Sequence, residues 1–303
     1  MVERYLRMWG VKETVEYIKA TLKGIRKVIR VNTLKVDEVE LIDTLRSKGY
    51  QLDKVWWAKR AYWVIKEPFP IGATFEYMLG YYYIHRGAGS LAPVIALNPQ
   101  PGEFIIDMCA APGGKTSYIA DLMKDEGVIL AVDISRDRMK SLRSQISRLG
   151  ISCVVGLRWD AKRVPELSVK ADKVLLDAPC TGEGLTPIDP GRRLRFNVEE
   201  LQRMVSVQVS LLEAALNVVK DGGVIIYSTC SIAPEENELV INKVLEKFRD
   251  RIDLYDTGLI IGDPGFDRVF NYKLDSRLKL CKRLYPHKHG TEGYFICKIV
   301  KRE

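Results

Sequence analysis

The sequence predicts an α/β protein built on a mostly parallel sheet and preceded by a smaller α/β unit, and three observations carry that prediction. From Gly102 onward, short apolar runs alternate with longer amphipathic stretches, the signature of strand–helix–strand units. Acidic residues stand at or just beyond the ends of those runs, at Asp107, Asp133, Asp160 and Asp177, where a parallel sheet presents its ligand-binding edge. The opening hundred residues have a different character, so residues 1–100 are expected to form an N-terminal subdomain and linker and residues 101–303 the main domain.

Taken in order, VIRVNTL from Val28 is rich in strand formers, and DEVELIDTLRSKG from Asp37 reads as a helix with Asp37 and Glu40 at capping-box spacing and Gly49 to end it. VWWAKRAYWVI from Val55 alternates aromatic and polar residues as strands do, before EPFPIG from Glu67 turns the chain. Its aromatics, interleaved with Lys and Arg, could stack on nucleic-acid bases and could equally be core. The main-domain strands are FIIDM (104–108), VILAVDI (128–134), CVVGL (153–157), KVLLD (173–177) and GVIIYS (223–228). Between the second and third, Met139, Leu142, Ile146 and Leu149 recur at helical spacing, with Ser135 as N-cap and Gly150 past the end. A further helix spans about 198–219 and is closed by Asp221, Gly222 and Gly223; KLCKRLY (279–285) and YFICKIV (294–300), separated by the turn-rich stretch Pro286 to Gly293, make an antiparallel hairpin.

Composition narrows the class. With 303 residues, 47% hydrophobic and 28% charged, the chain reads as a soluble globular protein. No run approaches the roughly 18 apolar residues of a membrane span, and MVERYLRMWG lacks the core of a signal peptide, which predicts a cytoplasmic location. Six scattered cysteines without a C-x-x-C pair suggest neither a zinc site nor a disulfide framework, which leaves free thiols for chemistry. The net charge of +8 is unevenly spread: residues 1–100 carry 16 basic and 10 acidic side chains, residues 101–270 carry 22 and 26, and residues 271–303 carry 9 and 3. Basic flanks around a less basic middle suit a polyanion held from both sides, as well as ordinary solvated surface.

The chemistry concentrates after the strands. DMCAAPGGKTSYIADLM, from Asp107, sets small residues and the paired Gly113 and Gly114 at a helix N-terminus, so the backbone can approach a ligand closely. It has neither the G-x-G-x-x-G order of a nicotinamide site nor the G-x-x-x-x-G-K of a phosphate loop. Asp133, eighteen residues past Lys115, is placed to accept both hydroxyls of a ribose, and Asp160 could hold an adenine amino group. DAPCTGEG from Asp177 and YSTCSIAPEENE from Tyr227 put Cys180 and Cys230 just after the fourth and fifth strands, and a thiolate is a strong carbon nucleophile. Cys109 is expected to pack within its loop, and Cys153, Cys281 and Cys297 to serve as small apolar residues.

These stretches, with RVNTLK at Arg30 and RLYPHKHGTEGYF at Arg283, resemble the RsmB/Sun-domain (NSUN-type) RNA cytosine-5 methyltransferases over nearly the whole chain, most closely the archaeal tRNA-modifying members. The resemblance implies a class I S-adenosylmethionine-dependent methyltransferase fold, Rossmann-like with a mostly parallel seven-stranded sheet, and an N-terminal RNA-binding subdomain. It also implies that Cys109, Ala110, Ala111, Pro112, Gly113, Gly114 and Lys115 form the cofactor loop, that Asp133 holds the ribose, and that Arg138, Asp160 and Asp177 are further cofactor contacts. Cys230 is similar to the family's nucleophile and Cys180 to the residue that helps release product. Where family members carry a Gln followed by an acidic residue, this chain has His85 and Arg86. Arg192, Arg193 and Arg195, in the loop TPIDPGRRLRF, could meet RNA phosphates or be solvated.

The expected reaction follows from the poor nucleophilicity of cytosine carbon 5, which needs prior covalent addition at carbon 6; the Cys230 thiolate supplies that bond. Asp177, protonated or sharing a proton with the base, stabilises the charge pushed onto the ring, a role that calls for a pKa raised by burial. Lys115 or a water assists removal of the carbon 5 proton, Cys180 acts at elimination, and no metal enters. The target base must leave its stack, which favours loops and ends of RNA. Transfer RNA is the first expectation and ribosomal RNA the alternative. An amino-nitrogen methyltransferase would carry D/N-P-P-Y where this chain has DAPC, and a non-catalytic RNA-binding or assembly protein has no need of Cys180 together with Cys230.

Overall fold

The computed structural model describes residues 1–194 and 197–303. A long helix, α1 (Val2–Lys23), opens the chain. It is followed by β1 (Val28–Val31), α2 (Glu38–Ser47), β2 (Gln51–Lys54), β3 (Ala61–Lys66), the single-turn α3 (Phe75–Met78) and β4 (Tyr82–His85). The four strands form an antiparallel sheet in the order β2-β3-β1-β4, with α2 packed on it through Leu41, Ile42 and Leu45. Asp37 caps α2 as its sequence suggests, its carboxylate accepting from the amides of Val39 and Glu40.

The main domain runs α4 (Ala92–Leu97), β5 (Phe104–Asp107), α5 (Gly114–Leu122), β6 (Val128–Asp133), α6 (Arg136–Leu149), β7 (Val154–Arg158), β8 (Ala171–Asp177), α7 (Val198–Val218), β9 (Val219–Thr229), α8 (Glu238–Lys247) and β10 (Ile252–Tyr255). Then come the two-residue strands β11 (Asp263–Pro264), β12 (Arg268–Val269) and β13 (Tyr272–Lys273), followed by β14 (Lys282–Leu284), the short α9 (Pro286–His289) and β15 (Tyr294–Lys301). In the central sheet β7, β6, β5, β8 and β9 are parallel neighbours, and β15 joins antiparallel to β9. The far edge of β15 pairs with β14 at one end and β10 at the other. Leaving aside β14 and β11, the sheet holds the seven strands of a class I methyltransferase.

Alternation along the strands builds two apolar layers. Ile105, Leu175, Ile226 and Ile296 face α4, α5 and α6, while Ile106, Val174, Leu176, Ile225, Tyr227 and Phe295 face α7 and α8. α6 follows its pattern fully: Met139, Leu142, Ile146 and Leu149 are buried, Ser135 accepts from the Arg138 amide at 3.3 Å, and Gly150 ends the helix at φ 70°. The two domains meet through the RVNTLK stretch. Arg30, fully buried, donates to Asp121 at 3.2 Å and Ser117 at 2.9 Å, and Asn32 bridges the carbonyls of Gly80 and Leu149.

Three sequence expectations are corrected, and one element was not expected. VWWAKRAYWVI is not one strand: the chain turns at Trp56–Arg60, with Arg60 in the left-handed region at φ 61°, and only Ala61–Lys66 is extended. The helix at 198–219 is not closed by a Gly-rich turn, because β9 starts at Val219 and absorbs Gly222 in a register shift against β8. KLCKRLY yields a strand of only three residues, since Asp275 caps a 3-10 turn over Ser276–Leu280. α1, unanticipated, breaks its helical geometry at Gly10 (φ 73°) and docks on α9 through Tyr5, Trp9, Tyr17, Tyr285 and His287. Among the described residues no helix is long and apolar enough to cross a membrane.

Candidate active site

The carboxyl ends of β5, β6, β8 and β9 open onto a cavity of about 540 Å³, within the range that holds small ligands. Cys109, Asp133, Arg138, Asp160, Asp177, Cys180 and Cys230 all line it, so the structure gathers these predicted residues in one place. Ala110, Ala111, Pro112, Gly113 and Gly114 do not line it; they form the turn behind Cys109. There the Ala110 amide bonds to Val132 O at 2.9 Å and the Ala111 amide to Asp133 Oδ2 at 3.3 Å, with Gly113 at φ 106°. A side chain at Gly114 would press on the Tyr83 ring, with its Cβ 3.1 Å away.

Asp133 accepts from the Ser135 amide at 2.9 Å and pairs with Arg138 at 3.4 Å, which fixes its carboxylate at the cavity edge. The next residue, Ile134, is 69% exposed and presents an apolar surface to the same cavity. Asp160 caps the turn Ala161–Leu167 by accepting from the Lys162 amide at 3.0 Å, and the adjacent Trp159 keeps a buried indole N–H without a partner among the described residues.

The two cysteines meet because of strand register. β8 and β9 are parallel with Asp177 opposite Ser228, so the residues that continue past each end, Cys180 and Cys230, converge until their sulfurs lie 3.2 Å apart. Both remain free thiols. The turn after Cys230 is held by Thr229, which donates to Asn237 Oδ1 at 2.6 Å, and by Asn237, which donates to Ser231 O. The loop carrying Cys180 is held by buried Glu236, which accepts from the Thr181 amide at 2.8 Å, the Thr181 hydroxyl at 2.6 Å and Gln208 at 3.1 Å. Hydrogen bonding to Cys230, then burial and the negative charge of Cys230, Glu236 and Asp177, push the Cys180 thiol well up. Cys180 therefore keeps its proton, and either sulfur can act as donor across the 3.2 Å contact.

Lys115 turns away from its loop and donates to Asp177 Oδ2 at 2.6 Å and to the Tyr294 phenol at 3.1 Å. Burial pulls this ammonium down, but the charge and hydrogen bond of Asp177, with Cys230 and Asp107 behind it, outweigh burial and hold it above the ordinary lysine value. Ser228 donates to the other Asp177 oxygen at 2.7 Å. Behind this pair Asp107 is fully buried, bonded to Thr116 at 2.8 Å, and desolvation pushes it up to about 7. Burial likewise raises the Cys109 thiol.

Glu236, Tyr294, Ser228 and Ile134 escaped sequence reasoning. Glu236 lay inside YSTCSIAPEENE, and Ile134 directly followed a flagged aspartate, so position relative to the motifs was a usable signal. His85 is buried, its Nδ1 3.0 Å from the Ser90 hydroxyl and its Nε2 without a partner among the described residues; neither it nor Arg86 lines the cavity. Arg192 does line it and donates to Thr181 O at 2.7 Å, Arg193 donates to Thr21 O at 2.8 Å, and Arg195 lies outside the described residues.

Comparison with known proteins identifies the family. A family model described as 16S rRNA methyltransferase RsmB/F matches residues 94–300, and one described as the N-terminal domain of 16S rRNA methyltransferase RsmF matches residues 1–85. The chain is 40% identical over 306 residues to the 28S rRNA (cytosine-C(5))-methyltransferase of Mus musculus, covering 99% of this chain and 38% of that protein. It is 33% identical over 293 residues to the ribosomal RNA small subunit methyltransferase F of Aeromonas salmonicida (strain A449), covering 94% and 60%. The chain thus spans less than two thirds of these relatives' length. A methyltransferase homolog protein from Pyrococcus horikoshii superposes with TM-score 0.90 at 40% identity, over 99% of this chain and 94% of that one. NSun6 from Pyrococcus horikoshii, solved with SFG, superposes with TM-score 0.88 at 26% identity, over 100% and 97%. With these matches spanning both domains and the cysteine pair set on a class I sheet, the chain belongs to the RsmB/F family of methyltransferases.

Proposed function

We propose that this chain transfers a methyl group from S-adenosylmethionine to carbon 5 of cytosine in RNA, with ribosomal RNA as the favoured substrate. The observation that carries the reading is the Cys180–Cys230 pair, 3.2 Å apart at the mouth of a cavity that also holds Asp133, Asp160 and Asp177. Transfer RNA came first from sequence alone; the relatives named above act on ribosomal RNA by their names, and this supports the ribosomal alternative.

The cavity fits the cofactor by its donor set: a fixed carboxylate at Asp133 for ribose hydroxyls, the apolar Ile134 for a purine face and Asp160 for its amine. When bound, S-adenosylmethionine supplies an electrophilic methyl group on a sulfonium. The chain's residues do the rest. Cys230 sulfur adds to carbon 6 of the extruded base and makes carbon 5 nucleophilic. The negative charge that builds on the pyrimidine is met by the Lys115 ammonium, and Asp177, which holds that ammonium at 2.6 Å, orients the exocyclic amine. An ammonium so held is no base, which leaves a water to take the carbon 5 proton. As that proton departs, the sulfur–carbon 6 bond breaks, and the Cys180 thiol steadies the leaving Cys230 thiolate by hydrogen bonding.

Methyl transfer from labelled S-adenosylmethionine to rRNA and tRNA transcripts, with digestion to nucleosides, tests the reading. Labelled 5-methylcytidine is expected from rRNA. Cys230→Ala abolishes transfer while cofactor affinity changes by less than tenfold, about 1.4 kcal/mol, and Cys180→Ala accumulates a denaturation-resistant RNA adduct. Absence of labelled 5-methylcytidine from both RNAs refutes the proposal.

A further inference from the structure

A second cavity, of about 440 Å³, lies away from the cysteines, where the C-terminal end of α1 meets β3 and the end of α9. Lys23, Arg26, Trp63 and His289 line it together with the main chain at Gly24 and Gly290, and no acidic residue is among those that line it. We propose that this cavity binds one unpaired nucleotide of the RNA substrate outside the target cytosine, with its base on Trp63 and its phosphate on Lys23 and Arg26. The inference rests on the reading that the substrate is RNA.

The stretch VWWAKRAYWVI left two roles open for its aromatics, and the structure divides them. Trp57 and Tyr62 are buried in cores, whereas Trp63, on the face of β3 opposite Tyr62 and Val64, is half-buried and forms a wall of the cavity. One part of the Trp63 ring packs against the main-domain core, and the part that lines the cavity offers a stacking surface for a base. The two cations are exposed and have no ion pair among the described residues, in contrast to their neighbours: Lys27 is bonded to Glu67 at 2.7 Å, and Lys288 to Glu13 and Asp263. His289 is fixed by accepting the Tyr285 amide on Nδ1 at 2.9 Å, so the ring that lines the cavity is held in place.

Hydrogen bonds connect the rim of this cavity to the loop that carries Cys180. Arg193 donates to Thr21 O on the last turn of α1, and Arg192, one residue earlier, lines the catalytic cavity and donates to Thr181 O next to Cys180. From Gly290 the chain continues through Glu292 to Tyr294, which meets Lys115. Arg193 and Arg192, the latter also paired with Asp189 at 3.4 Å, thus tie the last turn of α1 to the loop that carries Cys180.

The test is binding of the whole chain to fluorescein-labelled 15-nucleotide oligoadenylate and to a 15-base-pair RNA duplex, followed by anisotropy at several salt concentrations. Trp63→Leu is expected to weaken oligoadenylate binding about tenfold, Trp63→Phe to restore most of it, and duplex affinity to hold. Arg26→Gln and Lys23→Gln should each lower the steepness of the salt dependence by about 0.7. Single-strand affinity at the wild-type level in Trp63→Leu, with a native circular dichroism spectrum, overturns the proposal. So does equal loss for single strand and duplex, or an unchanged salt dependence in both charge variants. Because binding is read without methyl transfer, absence of 5-methylcytidine would sink the proposed function alone and leave this result standing.

Discussion

Glu236→Gln keeps the size of the side chain and removes its charge, so it isolates what the carboxylate does for the Cys180 loop. Oε1 accepts from the Thr181 amide at 2.8 Å and from Gln208 at 3.1 Å, and Oε2 accepts from the Thr181 hydroxyl at 2.6 Å. In glutamine one of these atoms becomes an amide nitrogen. The least costly orientation turns it toward the Thr181 hydroxyl, which can rotate to accept; the other two bonds survive without charge assistance. A hydrogen bond to a charged group is worth about 1.5–3 kcal/mol against about 1 for a neutral one, so the loss over the two retained bonds is roughly 1–4 kcal/mol. For a domain of this size, that corresponds to a melting temperature lower by about 2–16 °C. Because Thr181 adjoins Cys180, the loosened loop also lets the thiol drift from Cys230. Calorimetry together with an assay for RNA adducts that survive denaturation reads both effects: a lower melting temperature and an adduct that accumulates during turnover. A variant that melts within 1 °C of wild type and shows no adduct would refute the view that Glu236 positions Cys180.

Asp107, held up at about 7 by burial against an ordinary 3.8, favours the native state least when ionised, so its contribution to stability declines as pH rises from about 4 through 7. At about 1.4 kcal/mol per pH unit, the gap amounts to about 4 kcal/mol above pH 7; denaturant titrations should show Asp107→Asn gaining on wild type by this order between pH 4.5 and 8, and a pH-independent difference would contradict it. Arg283 is buried, with bonds of 2.7 and 2.8 Å to Glu238 and one of 2.6 Å to Tyr285. Arg283→Met, which strands Glu238 as an unpaired buried charge, is expected to cost about 3–5 kcal/mol, and Arg283→Met with Glu238→Leu to recover most of it; a single variant that loses less than 1 kcal/mol would show the pair to be dispensable.

What the sequence revealed follows from how local each signal is. α6 was readable because its cap, its apolar stripe and its closing glycine all lie within one segment. The cysteine pair was readable because both residues end strands whose apolar runs are continuous, although their separation depends on β8 and β9 being neighbours. α1 hid itself: its buried positions are Tyr5, Thr14, Tyr17 and Thr21, while Val2, Leu6, Val11, Val15 and Leu22 are exposed, so of its aliphatic residues these five point away from the surface it packs on and Ile18 does not. Glu236 lay within a flagged motif, but its task could not be read because its partners sit 55 and 28 residues away, and Lys115 gave no sign that its ammonium would be drawn to Asp177 and Tyr294.

The charge distribution gains a structural meaning from the same buried groups. Residues 101–270 carry 26 acidic against 22 basic side chains, an awkward balance for the part of the chain that should receive a polyanion. Yet Asp107, Asp121, Asp133, Glu183, Glu236 and Glu238 are buried, while no described basic residue of that stretch is. Taking those six from 26 leaves 20 acidic side chains at or near the surface against 22 basic. Four of the six serve as internal clamps: Glu183 holds Arg4 and Tyr5 of α1, Asp121 holds Arg30 of the N-terminal sheet, Glu236 holds the Cys180 loop and Glu238 holds Arg283. Two of their cationic partners, Arg30 and Arg283, come from the basic ends of the chain and are fully buried. The excess acid of the middle is therefore largely internal, where it fastens the flanking segments onto the central sheet, while Lys23 and Arg26 of the N-terminal segment stay exposed to solvent.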